Sequence, residues 1–322
     1  MTALATATLP SKDLLSLDNL EAEHLELIFH VAAKLKAGRD QHTGLLEGKR
    51  LAMIFEKDSL RTRFTFDIGM TDMGGTAVFL DHRDARLGSR ESVKDMARNL
   101  ERWVDVIVAR TYKQRAIEEL AANCEIPVIN GLSDHSHPCQ ALTDYFTLTE
   151  KFGDLKGKTL CYVGDGNNTC HSLMVAGTKL GVNVVVCTPK GYEPDDAVIA
   201  QCEAWAQQSG GSIKITSSVE DGATGANVIY TDVWASMGQE DEIEERAAIF
   251  ADYQVNEELL AATGTETVFL HCLPAHRGAE VTAGVMDGPA SIVFDNAENR
   301  LHVQKAVMAL LMGAEKPQAV MA

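Results

Sequence analysis

The chain has 322 residues, enough for two domains, and its 45% hydrophobic and 23% charged residues are the balance of a soluble globular protein. A formal net charge of −17 excludes a general nucleic-acid binder, which needs a basic face, but allows an anionic small substrate held by a local arginine cluster. Seven cysteines without a Cys-x-x-Cys pair fit reduced thiols, no apolar run has the length of a membrane span, and the first ten residues lack the plan of a secretory or transit signal, so a cytoplasmic location is expected.

Leu25, Leu27, Ile28, Val31, Ala32 and Leu35 recur at helical spacing, which predicts an amphipathic helix over 19–37. Short β-rich runs at 50–55, 76–80, 104–110 and 126–130 then alternate with helical stretches at 61–73, 91–102 and 114–123. Gly74-Gly75 stops the first of these stretches. A helix is predicted at 137–152, with Pro138 in its first turn and Gly153 at its end. A second series comes next, with strands at 159–163, 183–188, 212–216, 226–231, 266–270 and 291–294. Its helices are expected at 168–180, 194–208, 254–262 and 298–312. The fold class is therefore α/β: two domains, each a parallel sheet flanked by helices, joined by a connecting helix. The expected domains are 1–152 and 153–299, with a C-terminal helix from about 300 to 322 packing back on the first.

Ligands of open parallel sheets bind beyond the carboxyl ends of the strands. Ser59, Arg61 and Thr62 follow the first strand, Arg86 the second, Arg110 ends the third, and His137 and Gln140 follow the fourth. In the second series Asp165, Asn167 and Asn168 follow the first strand, Asp232 and Ser236 the fourth, and His271-Cys272 the fifth. The pattern suggests a cleft between two domains, cationic on one wall and mixed acidic-amide on the other. Ser59-Leu60-Arg61-Thr62-Arg63 is suited to a phosphate-like dianion: guanidinium forks, hydroxyls and the N–H groups of an opening helix converge there. In isolation such a cluster is more often an ordinary surface helix start.

Other motifs read less clearly. His137 at an N-cap and Gln140 three residues on form a capping-box-like pair that serves either to cap the helix or to aim an imidazole and an amide at substrate. Gly164-Asp165-Gly166-Asn167-Asn168 lacks the third glycine of a dinucleotide fingerprint, and Gly153 to Thr159 has neither the spacing nor the position of a P-loop. Asp232 leaves a buried strand and suits an amino-group substrate, whereas the acids at 240–245 read as a solvated helix face. His271-Cys272 has no second ligand pair of metal-site spacing, so no metal is expected; a cysteine nucleophile, as in an amidase, stays open.

Together, Phe55 to Arg63, Leu87 to Ser92, His137-Pro138-Cys139-Gln140, Asp165 to Asn168, Asp232 to Glu240, His271-Cys272-Leu273-Pro274 and Glu298-Asn299-Arg300 resemble the aspartate/ornithine carbamoyltransferase family, in its ornithine branch, over nearly the whole chain. The resemblance implies carbamoyl phosphate and L-ornithine as substrates, citrulline and phosphate as products, no cofactor, and a homotrimer with shared active sites. It assigns carbamoyl phosphate to Ser59, Arg61, Thr62, Arg86, Arg110, His137, Gln140, Cys272, Leu273 and Arg300. Ornithine falls to Asn168, Asp232, Ser236 and Met237, and the chemistry to Arg61, Arg110, His137, Asp232 and Cys272. Two positions depart from the family pattern: Leu60 stands where threonine is common, and Arg86 where glutamine or histidine is. Arg86 either reaches a neighbouring subunit's substrate or pairs with Asp81 or Asp84. N-acetylornithine, putrescine or amidase chemistry are the alternatives.

Overall fold

The computed structural model describes residues 8–38, 44–82, 86–236 and 238–313. The chain forms two compact units, one from its start to Phe146 and from Glu298 onward, the other from Thr147 to Ala297. In the first unit the elements run α1 (Ala22–Ala37), β1 (Arg50–Phe55), α2 (Leu60–Asp72), β2 (Thr76–Asp81), α3 (Val93–Leu100), β3 (Val106–Arg110), α4 (Gln114–Ala122) and β4 (Val128–Leu132), followed by the start of α5 (Pro138–Phe152). The second unit contains β5 (Thr159–Val163), α6 (Asn168–Lys179), β6 (Asn183–Cys187), α7 (Asp196–Ser209), β7 (Ser212–Thr216), α8 (Val219–Ala223) and β8 (Val228–Thr231). It continues with α9 (Ile243–Ile249), α10 (Glu257–Ala262), β9 (Val268–His271) and α11 (Ala283–Met286), and the chain's last described helix is α12 (Val293–Met312).

The first sheet is parallel with order β2-β1-β3-β4, and Ile54 pairs with both Leu80 and Ala109. β1 and β3 are central and almost wholly buried, as expected of strands covered on both faces, whereas β2 forms a largely exposed edge. Gly74-Gly75 follows the end of α2: Gly74 has φ +85°, and a Cβ on Gly75 would press on the backbone at Lys49 O, 3.0 Å away. The second sheet is parallel with order β7-β6-β5-β8-β9. Its core packs Cys161, Val163, Ile229, Phe250, Phe269 and Val285.

Strand order reverses between β1 and β3 in the first sheet and between β5 and β8 in the second. At such switch points the loops leave in opposite directions and open a crevice. One expectation is corrected here. Residues 291–294 are not a strand: Ser291 makes a single bridge to Phe269, and α12 begins at Val293. A three-residue apolar run fits either structure, and the periodicity of the downstream residues decides between them. Val293, Asn296, Arg300, Val303 and Val307 are buried at helical spacing, while Phe294 is 65% exposed. Residues 314–322 of the expected C-terminal helix lie outside the described residues.

Candidate active site

The first group of residues assembles at the β1/β3 switch point. Ser59 is the N-cap of α2, its hydroxyl accepting from Thr62 N at 3.1 Å, so the helix opens where the cluster requires it. Arg110 ends β3 at a bulge, where the pairing jumps from Asn130 to Leu132 and skips Gly131. The extra residue lies on β4, so it is β4 that bends beside Arg110. Thr62 is buried and its hydroxyl accepts from Arg300 Nη2 at 3.0 Å. Arg300 Nη1 donates to Gln140 Oε1, and Gln140 Nε2 donates to Asp144 Oδ1 at 2.8 Å. The Gln304 amide, with its oxygen turned to Arg300, accepts from Nη2 at 2.8 Å and Nε at 3.2 Å. Arg300 is only 2% exposed and so serves to fix Thr62 and Gln140. Gln140 binds Arg300 through its amide oxygen and Asp144 through its amide nitrogen, so its side chain is fixed from both ends.

Electrostatics here are strongly cationic. His137 is buried, and burial, then Arg300, Arg110, Arg61 and Lys57, hold its imidazole well below the ordinary value. It is therefore neutral, able to donate from one nitrogen without adding charge. Lys57 is 7% exposed, and burial followed by the charge of Arg110 lowers it to about 8. The Glu56 carboxylate accepts from Leu87 N at 2.6 Å and Tyr112 N at 2.8 Å, tying the ends of β1 and β3 to the loop after β2. Arg86 is exposed and its guanidinium lies 3.2 Å from the Tyr112 ring centroid. Of the two acids named as alternative partners for Arg86, Asp84 lies outside the described residues. Leu60 is 67% exposed and faces away from the buried Thr62.

A second group forms at the β5/β8 switch point. Asn167 caps α6, its Oδ1 accepting from Thr169 N at 2.9 Å and Cys170 N at 3.1 Å. Its amide donates to Asp232 Oδ2 at 3.2 Å, bridging the switch point. Asp232 Oδ1 accepts from Val233 N at 2.8 Å and from the Cys272 thiol at 2.9 Å. Asn168 is buried at the first turn of α6, and Ser236 is half-buried in the loop after β8. Met237 lies outside the described residues. Cys272 and Leu273, grouped in the sequence with the carbamoyl residues, stand in this unit, Cys272 against Asp232. A Cβ on Gly166 would strike Pro194 N at 2.3 Å, so glycine is needed there for backbone packing.

The turn after β9 is held by a relay. Glu280, 1% exposed, faces His271 Nε2 at 3.2 Å, and His271 Nδ1 accepts from Leu273 N at 2.8 Å. Leu273 has φ +61°, a left-handed conformation uncommon for leucine, so this hydrogen bond fixes a backbone that would not form unaided. Burial alone would raise the Glu280 carboxyl, but hydrogen bonds from His271 and the His276 N–H outweigh it and hold it below its ordinary value. Asp232, His271 and Cys272 bring potential metal-ligand atoms within 4.8 Å of one another. Both His271 nitrogens are already committed, to Leu273 and Glu280. The imidazole is thus not available as a ligand without breaking the turn, nor as the base for a cysteine nucleophile.

Arg246 completes the second group. It is 7% exposed and donates to Asp165 Oδ2 at 3.0 Å, Glu242 Oε2 at 2.7 Å and Trp234 O at 2.9 Å. Burial raises Asp165 to about 6, against the pull of Arg246. Sequence reading misses Lys57, Glu56, Tyr112, Arg246 and Glu280. Lys57 and Glu56 lie inside the Phe55 to Arg63 motif, while Glu280 and Arg246 leave no signal beyond their charge.

Known proteins supply the comparison. Residues 12–150 match the family model "Aspartate/ornithine carbamoyltransferase, carbamoyl-P binding domain", and residues 156–311 match its "Asp/Orn binding domain". An anabolic ornithine carbamoyltransferase of Pyrococcus furiosus is 52% identical over 311 residues, 96% of this chain and 99% of its own. A solved ornithine carbamoyltransferase structure from that organism superposes with a TM-score of 0.92, covering 96% of this chain and 99% of that one. A solved N-acetyl-L-ornithine transcarbamylase is 31% identical with a TM-score of 0.85, covering 94% of this chain and all, 100%, of the other. With both halves matched in order and a relative sharing half its residues end to end, the chain belongs to the aspartate/ornithine carbamoyltransferase family.

Proposed function

We propose that the protein transfers the carbamoyl group of carbamoyl phosphate to the δ-amine of L-ornithine, giving L-citrulline and phosphate, in arginine biosynthesis. The observation that carries this reading is the ring of Arg61, Arg110, Arg300 and Lys57 about a neutral, buried His137, at the capped N-terminus of a helix. Such a gathering of cations suits a dianion. Ser59, Arg61 and Thr62 hold the phosphate; Arg110, His137 and Gln140 address the carbamoyl oxygen and nitrogen. Asn168, Asp232, Ser236 and Met237 hold ornithine, with the carboxylate of Asp232 facing its amino group.

The attacking amine must be neutral, yet free in water its pKa is near that of lysine, about 10.4. Binding must therefore desolvate it and release a proton. As it attacks, negative charge grows on the carbamoyl oxygen, where the Arg110 guanidinium and the neutral His137 N–H donate. Charge then passes to the departing phosphate, met by Arg61. Preformed donors need no reorganisation at that moment, and this is the usual source of the largest catalytic term. Cys272, its thiol donating to Asp232, orients the amine and forms no covalent intermediate.

The reading includes a trimer whose sites are shared between subunits. Leu60, Phe64 and Ile68 are 67%, 57% and 39% exposed at four-residue spacing along α2, and Val78 and Leu80 are 63% and 44% exposed on the edge strand β2. Apolar stripes of this kind belong at subunit contacts. Arg86 follows that edge, and a guanidinium stacked on a ring keeps its N–H donors free at the rim for a neighbour's phosphate. Mixing Arg86→Gln with Arg61→Ala subunits then restores activity that neither alone shows at low carbamoyl phosphate; no restoration removes the shared site. No described helix is long and apolar enough to cross a membrane.

The deciding assay is citrulline formation from carbamoyl phosphate with ornithine, N-acetylornithine, putrescine and aspartate as acceptors. Ornithine should give the highest kcat/KM by at least tenfold. A preference for N-acetylornithine would move the chain to that branch of the family.

A further inference from the structure

Lys57 lies two residues beyond the end of β1, on backbone held by its neighbour. The residue before it, Glu56, is pinned through its carboxylate to Leu87 N at 2.6 Å and Tyr112 N at 2.8 Å, and its own N–H donates to Arg110 O at 2.8 Å. The lysine is 7% exposed, and its ammonium sits 4.6 Å from the centroid of the Tyr112 ring that also carries Arg86. The charged groups acting on it are Arg110 from the end of β3, Asp134 from the loop after β4, Arg86 from the loop after β2, and Glu56. Neither acid is spare. Glu56 is spent on the two backbone N–H groups, and Asp134 accepts from Gln114 N at 2.8 Å and pairs with Lys113 at 3.0 Å. Lys57 is thus a buried cation set beside two arginines, contributing with Arg61, Arg110 and Arg300 to the field that keeps His137 neutral.

A buried charge of this kind is costly unless a counter-ion arrives. Arginine cannot lose its proton in a protein. Lysine can. We propose that Lys57 is a further anion-binding residue of this site, which takes up a proton from solvent when the dianionic phosphate group binds and returns it when phosphate leaves. The proposal rests on the carbamoyl phosphate reading above and adds to it a residue and a proton. Burial and Arg110 lower the lysine to about 8 in the empty site, so near that pH about half the molecules are neutral at Lys57. A bound dianion restores the charged form. Affinity should therefore fall as pH rises above 8, because an increasing share of the empty sites must first be protonated.

The test uses the full chain and carbamoyl phosphate without an acceptor, titrated calorimetrically in two buffers of different ionisation enthalpy. At pH 8 the parent should take up about half a proton per site, and near none at pH 6.5, where Lys57 is already charged. Its Kd should rise between pH 8.5 and 9.5, approaching tenfold per unit. Lys57→Gln should bind at least tenfold more weakly at pH 7 with no proton uptake. Lys57→Arg, which keeps a charge, should bind with little pH dependence. No proton uptake by the parent at pH 8 overturns the proposal, and so does a Lys57→Gln protein that keeps the parent's affinity. If that variant does not fold, the parent's proton count decides alone. A parent that binds no carbamoyl phosphate at any pH refutes the site's assignment itself, a different result from binding without proton uptake.

Discussion

Replacing Arg246 by methionine should destabilise the second unit by about 3 kcal/mol at pH 8 and about 1 kcal/mol at pH 5.5. At 3.0 Å the Arg246–Asp165 pair attracts by roughly 5 kcal/mol at an effective dielectric of about 20. The variant does not lose all of this, because Asp165 can escape by protonation. In the parent its carboxyl sits at about 6, so at pH 8 the neutral form lies about 2.7 kcal/mol above the charged one, and that gap bounds the loss through Asp165. The Trp234 carbonyl loses a buried donor at 2.9 Å, worth about 1 kcal/mol, while half-exposed Glu242 is rehydrated. At pH 5.5 protonation is nearly free, and only the Trp234 part remains. The sign follows from the direction of the shift. A carboxyl raised in the folded state gives stability that is complete below the unfolded value of 3.8 and is lost as pH passes 6. Thermal unfolding of parent and variant at both pH values measures the effect. For a unit of about 150 residues each kcal/mol moves Tm by about 2–4 °C, so losses of about 6–12 °C and 2–4 °C are expected. An equal loss at both pH values, or a larger one at pH 5.5, refutes the reasoning. Since Trp234 belongs to the Ser236 loop, ornithine KM should rise in the same variant.

Arg61→Lys keeps the charge but loses the fork, and turnover at saturating carbamoyl phosphate should fall more than tenfold, a loss above about 1.4 kcal/mol; unchanged turnover removes Arg61 from the transition state. Cys272→Ser should retain measurable citrulline formation, because a hydroxyl can still donate to Asp232, and intact-mass spectrometry of the parent under turnover should show no carbamoylated Cys272. Glu280→Ala strands the buried His271 N–H and the His276 N–H and frees Leu273, which should lower stability by about 1–3 kcal/mol and raise KM for substrate. Glu280→Gln keeps an acceptor and should recover most of both; if the two variants behave alike, the relay is not what holds the turn.

Much of the architecture is legible in the sequence because the information is local. A buried parallel strand needs a short apolar run, a covering helix needs an apolar stripe, and the alternation of the two names the sheet type. Nine of the ten expected strands appear, and the tenth, 291–294, does not, because an apolar run that short carries no period of its own. Ser59 can be placed as a helix cap from its position alone, since an N-cap is set by its own turn.

Contacts between distant segments leave no such trace. Spacing alone does not show that Gln140, at the opening of α5, accepts from Arg300, because that arginine comes from the far end of the chain. Leu60 and Thr62 look alike on paper as neighbours of the arginines, yet the helix turns one to solvent and buries the other. By itself the sequence determined the two parallel sheets, the loops that carry polar groups and the family. Only the tertiary structure decided that Lys57 is buried beside Arg110, that His271 serves the Leu273 turn, and that Arg246 locks Asp165 to Trp234. The reason is that burial and the distance between charges are set by segments far apart in the chain, and these two quantities determine whether a side chain is charged and what it can bind.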